Sequence, residues 1–267
     1  MDYYDIVTLI LAGLTGLAVG SFLNVVVYRV PEGMSLASPP SHCPKCGYRL
    51  KWYDNIPLFS YLILGGRCRS CRARISFRYT AVELLNAATW LASVLLFWRQ
   101  SIPYAVVSAL VCSVLLCVFF IDLERQLIYN VFLWILGGLA IAAMLLDPSR
   151  ALLPSLIASL IGGAAGFAVF GGLRLLFSKL LGKEALGDGD VFLAGIAGVM
   201  LGWERFLLAM LIASFSASVI LLILRRARKD EKDRAYPFAP FLCAGTAIAL
   251  FAGQPIIEGY LKLIGLA

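Results

Sequence analysis

Long apolar stretches separated by short charged ones dominate the pattern of the chain. Runs of bilayer-spanning length cover residues 6–27, 81–98, 102–121, 127–146 and 151–173, each near the roughly 20 residues that cross a hydrocarbon core. A further run, 191–224, has 34 residues, too many for one crossing. Glu204 and Arg205, just after Gly202, divide it into a short span and a full one. A last span begins near Pro237. The pattern predicts an all-α polytopic membrane protein of about eight transmembrane helices. The first run is read as a retained helix rather than a cleaved signal peptide. Its flank, MDYYD, is acidic where a signal peptide is basic, and the run is too long.

One polar segment is large enough to fold by itself, the stretch 31–79 between the first two helices. The expected division is therefore residues 1–30 as the first transmembrane helix, 31–79 as a small loop domain, and 80–267 as the main transmembrane domain. A segment of this size cannot bury a self-sufficient core and needs a staple.

Composition agrees with a membrane protein: 61% of the 267 residues are hydrophobic and 15% charged, against about a quarter charged in soluble domains. Charge then sets the orientation. With the N-terminus outside, the inner segments 29–79, 122–126, 174–189 and 225–236 hold 19 of the 23 Lys and Arg residues. The net charge of +7 is thus read as topology, with the lipid bilayer as partner and no nucleic acid. The mixed charge run RRARKDEKDRAY at 225–236 reads as a solvated inner turn.

The staple is legible in the loop. Cys43 and Cys46, then Cys68 and Cys71, form two CxxC knuckles separated by 21 residues. Such pairs converge four thiolates on a tetrahedral zinc. The competing reading is two disulfides, which the reducing cytosol disfavours. His42 adjoins the first knuckle, but four thiolates already complete a site. Cys112, Cys117 and Cys243 lie in apolar runs and read as packing.

Carboxylates at membrane depth are costly, about 2.5–3.5 kcal/mol on insertion scales, and so mark candidate chemistry. Asp122 ends the third apolar run, at the inner boundary. Asp190 precedes a short segment: the 13 residues 191–203 span only about 20 Å of helix, which recesses Asp190 from the inner face. Gly187 and Gly189 let the chain turn there and present it to a cavity. Two carboxylates at one level form a dyad that shares a proton. One activates a water while the other hydrogen-bonds the scissile carbonyl. The alternative is that these residues are helix caps, the reading preferred for Asp188. The single histidine, with no HExxH and no GxSxG, leaves no parts for metallo- or serine-peptidase chemistry.

Six ordered segments resemble the bacterial type IV prepilin peptidases, bifunctional leader peptidase/N-methyltransferases of the GxGD aspartic protease group. They are VGSFLNVVVYRVP at 19–31, YDNIPLFSYLILGGRCRSC at 53–71, RISFRYTAVELL at 74–85, FIDLERQLI at 120–128, LGDGDVFLAG at 186–195 and YPFAPFLCAG at 236–245. The resemblance implies that Asp122 and Asp190 are catalytic and that Asp188 fills the variable position of GxGD. It implies cleavage of prepilins and pseudopilins after a short basic leader, at the bacterial inner membrane. It also implies S-adenosylmethionine-dependent methylation of the new N-terminal residue, usually phenylalanine. The methyl-donor site is expected near the zinc loop and the inner edges of helices one and two, with Glu83 as candidate; the competing reading of Glu83 is an interfacial partner of Arg78. Two departures stand out: Phe192 where the family usually has Lys, and LIYN where it usually has Pro. Two other readings remain, a peptidase alone with a purely structural zinc loop, and a proton-coupled transporter. The latter predicts an internal repeat that the sequence lacks.

Overall fold

A computed structural model describes residues 2–149, 151–181, 186–227 and 236–265 of the chain. Among these residues the regular structure is helical, with no strand. The helices are α1 (Tyr3–Arg29), α2 (Phe59–Ile63), α3 (Phe77–Phe97), α4 (Ile102–Arg125), α5 (Asn130–Leu146), α6 (Leu152–Leu181), α7 (Asp188–Ala227) and α8 (Ala239–Leu263). Six of them are long and apolar enough to cross a membrane by length and composition, and α5 is a shorter apolar helix of 17 residues. Most of the charge run at 225–236 lies outside the described residues.

The long run at 191–224 is divided where the sequence pattern divides it. Gly202 has φ 73° and ψ 166°, a conformation open essentially to glycine alone, and it separates α7 into arms at 188–201 and 203–227. Arg205, a turn beyond the break, is buried. Its Nε donates to the Leu201 carbonyl at 3.0 Å, and its guanidinium pairs with buried Asp147 just past the end of α5. Asp147 also accepts from the Ser149 backbone and hydroxyl, at 2.9 and 2.6 Å. The Arg205 that the sequence reading uses as a divider is thus half of a buried clasp.

Contacts divide the chain into two compact units, residues 1–98 and 99–267. In the first, α3 packs along α1. Fully buried Asn86 donates to the Gly16 carbonyl at 2.7 Å, and Asn24 donates to the Tyr79 carbonyl at 2.9 Å. Such amides act as glue between helices that have no hydrophobic drive to associate in lipid. The boundary read from the sequence, at 79/80, falls inside this unit: the second spanning helix, grouped there with the main transmembrane domain, belongs by its contacts with α1.

In the second unit α7 is the hub, packing on α6, α8 and α5, with α4 against α5 and α8. The first arm of α7 and α6 meet backbone to backbone. A Cβ added at Gly198 would lie 2.1 Å from the Gly162 carbonyl oxygen, so only small residues admit this approach. Leu160, Leu211 and Phe215 remain outward-facing and exposed, as apolar side chains do when lipid is their solvent.

Candidate active site

Within the second unit, helix ends bring the predicted aspartates together. Asp122 lies in the last turn of α4, which Gln126 closes in a left-handed conformation with its N–H on the Asp122 carbonyl at 2.9 Å. The Asp122 side chain is buried and accepts from the Ala239 backbone N–H at the start of α8. Asp190 lies in the first turn of α7, where the open N–H groups favour a carboxylate. It accepts from the Gly187 backbone, and its Oδ1 is buried without a hydrogen-bond partner. The two carboxylates lie within electrostatic range of each other. Cys243 of α8 is buried within range of both, so its packing role places it at the edge of this pair.

Local geometry explains the GDGD stretch. A Cβ at Gly189 would lie 2.7 Å from Cβ of Ile128, so glycine lets the α4–α5 connection pass directly against the first turn of α7. Asp188 points elsewhere: it is exposed and pairs with Arg174 of α6. Phe192, half exposed, packs edge-on against Phe167 at 5.8 Å.

The cysteines of the first unit also converge. The Sγ atoms of Cys43, Cys46, Cys68 and Cys71 all lie within 4.8 Å of one another, and the Cys43–Cys71 and Cys46–Cys68 separations are 3.9 and 4.0 Å. A tetrahedral zinc with Zn–S near 2.3 Å requires sulfur separations of about 3.8 Å, so the donor set fits that metal. The two knuckles are built alike. Cys43 N donates to Tyr48 O at 2.9 Å and Cys68 N to Ala73 O at 2.8 Å, with Gly47 and Arg72 at positive φ in corresponding places. His42 turns aside, its Nδ1 on the Pro40 carbonyl at 3.1 Å.

Beside this cluster, buried Asp54 pairs with Arg69 at 2.7 Å and accepts from Tyr48 and the Lys51 N–H, each at 3.3 Å. Burial pushes the Asp54 carboxyl up, but the Arg69 hydrogen bond, the Lys51 N–H and the Tyr48 hydroxyl outweigh it and hold the group below the usual carboxylate range. The sequence reading missed this pair; the signal available was an acidic residue framed by aromatics between the knuckles.

A cavity of about 400 Å³ opens between the loop and the adjoining ends of α1 and α3. Glu83 lines it and is buried. Its carboxylate accepts the Leu58 N–H at 2.8 Å. This contact, rather than one with Arg78, holds Glu83 in place, while the Arg78 guanidinium lies over the Tyr79 ring at 5.0 Å.

The sequence matches two family descriptions, Bacterial Peptidase A24 N-terminal domain over residues 14–98 and Type IV leader peptidase family over residues 109–222. The chain is similar to the prepilin leader peptidase/N-methyltransferase of Pseudomonas aeruginosa, 34% identical over 276 residues covering 94% of this chain and 93% of the relative. The protein of the same name from Pseudomonas putida is 33% identical, covering 96% and 94%. That from Myxococcus xanthus is 40% identical over 224 residues, covering 81% and 64%. No solved structure matches the chain. The chain belongs to the type IV leader peptidase family.

Proposed function

We propose that the protein removes the short basic leader from type IV prepilins and pseudopilins by an aspartyl dyad, Asp122 and Asp190, and N-methylates the residue thereby exposed. The observation that carries the peptidase reading is that these two carboxylates, at the ends of α4 and α7, lie within electrostatic range of each other. The pair holds one proton. The ionised aspartate takes a proton from a water, which attacks the scissile carbonyl carbon, and the protonated one hydrogen-bonds the carbonyl oxygen. Collapse returns a proton to the leaving amine and breaks the C–N bond. The prepilin is itself a membrane helix with a basic inner leader, so its scissile bond lies at the inner interface, where a recessed Asp190 can meet it. This reading sets the chain in the bacterial inner membrane with eight crossings, the two arms of α7 counted separately. The N-terminus lies outside, and both loop and dyad face the cytoplasm.

The four cysteines would hold zinc as a structural staple that ties the two knuckles together. S-adenosylmethionine would be held in the cavity of the first unit, whose volume suits a ligand of that size and whose lining includes Tyr28, Tyr79 and Glu83. When bound it supplies an electrophilic methyl group. The same cavity favours the bifunctional reading over a peptidase with a purely structural loop. The test of the dyad compares leader removal by wild type, Asp122→Asn and Asp190→Asn in detergent. Both folded variants should lose cleavage by at least about a thousandfold, because Asn keeps size and polarity but cannot cycle a proton. Wild-type turnover in either makes that aspartate a cap and ends the dyad mechanism.

A further inference from the structure

One residue lining the cavity of the first unit carries an acceptor that nothing among the described residues satisfies. Asn24 of α1 is 5% exposed and lines the cavity. Its amide nitrogen donates to the Tyr79 carbonyl at 2.9 Å and the Gly20 carbonyl at 3.3 Å. Only the nitrogen end can donate to carbonyls, so the orientation of the amide is fixed. The oxygen, Oδ1, is buried without a partner. Leaving a buried acceptor unpaired costs about 1–3 kcal/mol.

Glu83 supplies a second acceptor from α3, one turn beyond Tyr79. The Leu58 N–H that it accepts comes from a strained turn: Leu58 has φ 63° and ψ −51°, and Phe59 N reaches back to Pro57 O at 2.6 Å. This is the rare form of the γ-turn, and the carboxylate holds it. Of the cations lining the cavity, Arg29 is committed to the carbonyls of Ser35, Leu36 and Pro39, and Arg69 to Asp54. Lys45 and Arg74 stand exposed.

An uncharged acceptor and a carboxylate, both buried at the wall of one cavity, select a group with several N–H donors and a positive charge. Tyr28, Tyr61 and Tyr79 line the same space and suit the apolar body behind such a head. We propose that Asn24 and Glu83 form a recess for a primary ammonium group. This rests on the reading that methyl transfer occurs in this cavity. Two ligands of that chemistry carry such a group: the free N-terminus of the methyl acceptor, and the amino-acid end of the methyl donor.

The test measures binding to the full-length protein in detergent by titration calorimetry, with two matched pairs of probes. Phenylalaninamide is compared with N-acetylphenylalaninamide, and S-adenosylmethionine with methylthioadenosine, which lacks the amino-acid end. In at least one pair the ammonium member should bind tenfold or more tightly than its counterpart, and that pair identifies the source. Glu83→Gln keeps an acceptor for the Leu58 N–H but removes the charge, and should abolish that preference while zinc content stays at one per chain. Glu83→Asp, which keeps the charge, should retain part of it and serves if Glu83→Gln does not fold. A wild-type protein without preference in either pair, or a preference that survives Glu83→Gln, overturns the assignment. Val25→Trp separates this from the broader reading, because it fills the cavity. If it leaves all binding intact, the cavity is not the methyl-transfer site. If it abolishes binding while Glu83→Gln has no effect, only the ammonium recess is wrong.

Discussion

Gly189→Ala should disable cleavage although it touches neither aspartate. The added Cβ would lie 2.7 Å from Cβ of Ile128, 3.1 Å from its Cδ1 and 3.2 Å from its Cγ1. The nearest atom is attached directly to the backbone of the α4–α5 connection, so no rotation of Ile128 relieves the contact. Ordinary carbon contacts need about 3.5–4.0 Å, which demands a shift near 1 Å between the first turn of α7 and that connection. Asp190 is the next residue, and Asp122 lies at the other end of the same short connection. A misplacement of about 1 Å can lower turnover by about a hundredfold, near 2.7 kcal/mol in activation free energy.

The assay is leader removal at saturating prepilin, where kcat reports the dyad geometry and thermal unfolding reports the fold. Gly187→Ala is the matched control: its Cβ meets nothing nearer than an Asp190 oxygen at 3.5 Å, so kcat should stay within about threefold of wild type. Partner substitutions then sharpen the reasoning. In the Gly189→Ala background, Ile128→Ala keeps the offending Cβ and should not rescue, whereas Ile128→Gly removes it and should restore part of the lost turnover. Wild-type kcat in folded Gly189→Ala, or equal rescue by Ala and Gly at 128, refutes the geometry.

Chelation should remove the zinc proposed for the loop and release the two knuckles. The amides of Cys43 and Cys68, now bonded at 2.9 and 2.8 Å, should then exchange with deuterium at least about a hundredfold faster. Asp54→Asn should destabilise the loop by about 2 kcal/mol at neutral pH, since Arg69 loses its charged acceptor. The folded carboxyl of Asp54 is depressed, so its contribution is present above the ordinary carboxylate value and disappears as pH falls through the folded one. The difference between wild type and Asp54→Asn in thermal unfolding should therefore be constant from neutral pH down to the ordinary carboxylate range and shrink below it. Asp147→Asn leaves Arg205 buried without its counter-charge and should cost about 3 kcal/mol, measured as a lower unfolding temperature. Asp147→Leu combined with Arg205→Met should recover most of that loss.

What the sequence made legible is what short-range chemistry dictates. Four thiolates must come from two knuckles of fixed spacing, so Cys43, Cys46, Cys68 and Cys71 announce a metal-compatible cluster before any fold is known. A 34-residue apolar run cannot cross once, so a break near Gly202 follows from length alone. The clasp of Asp147 and Arg205 was not legible, because its partners are 58 residues apart and each looks like a loop charge. Asn24 was hidden for a related reason. One polar residue in an apolar helix reads as interhelical glue, which its amide nitrogen provides; only the packed structure leaves its oxygen buried without a donor. The two faces of that one side chain separate structure from function. The nitrogen's bond to Tyr79 ties α1 to α3 whether or not a ligand is present, with its bond to Gly20 lying within α1, whereas the oxygen carries a desolvation cost that an ammonium group would remove. A role confined to helix packing would account for the first and leave the second as uncompensated loss, and that asymmetry is why the binding assay, rather than a stability assay, decides what Asn24 and Glu83 do.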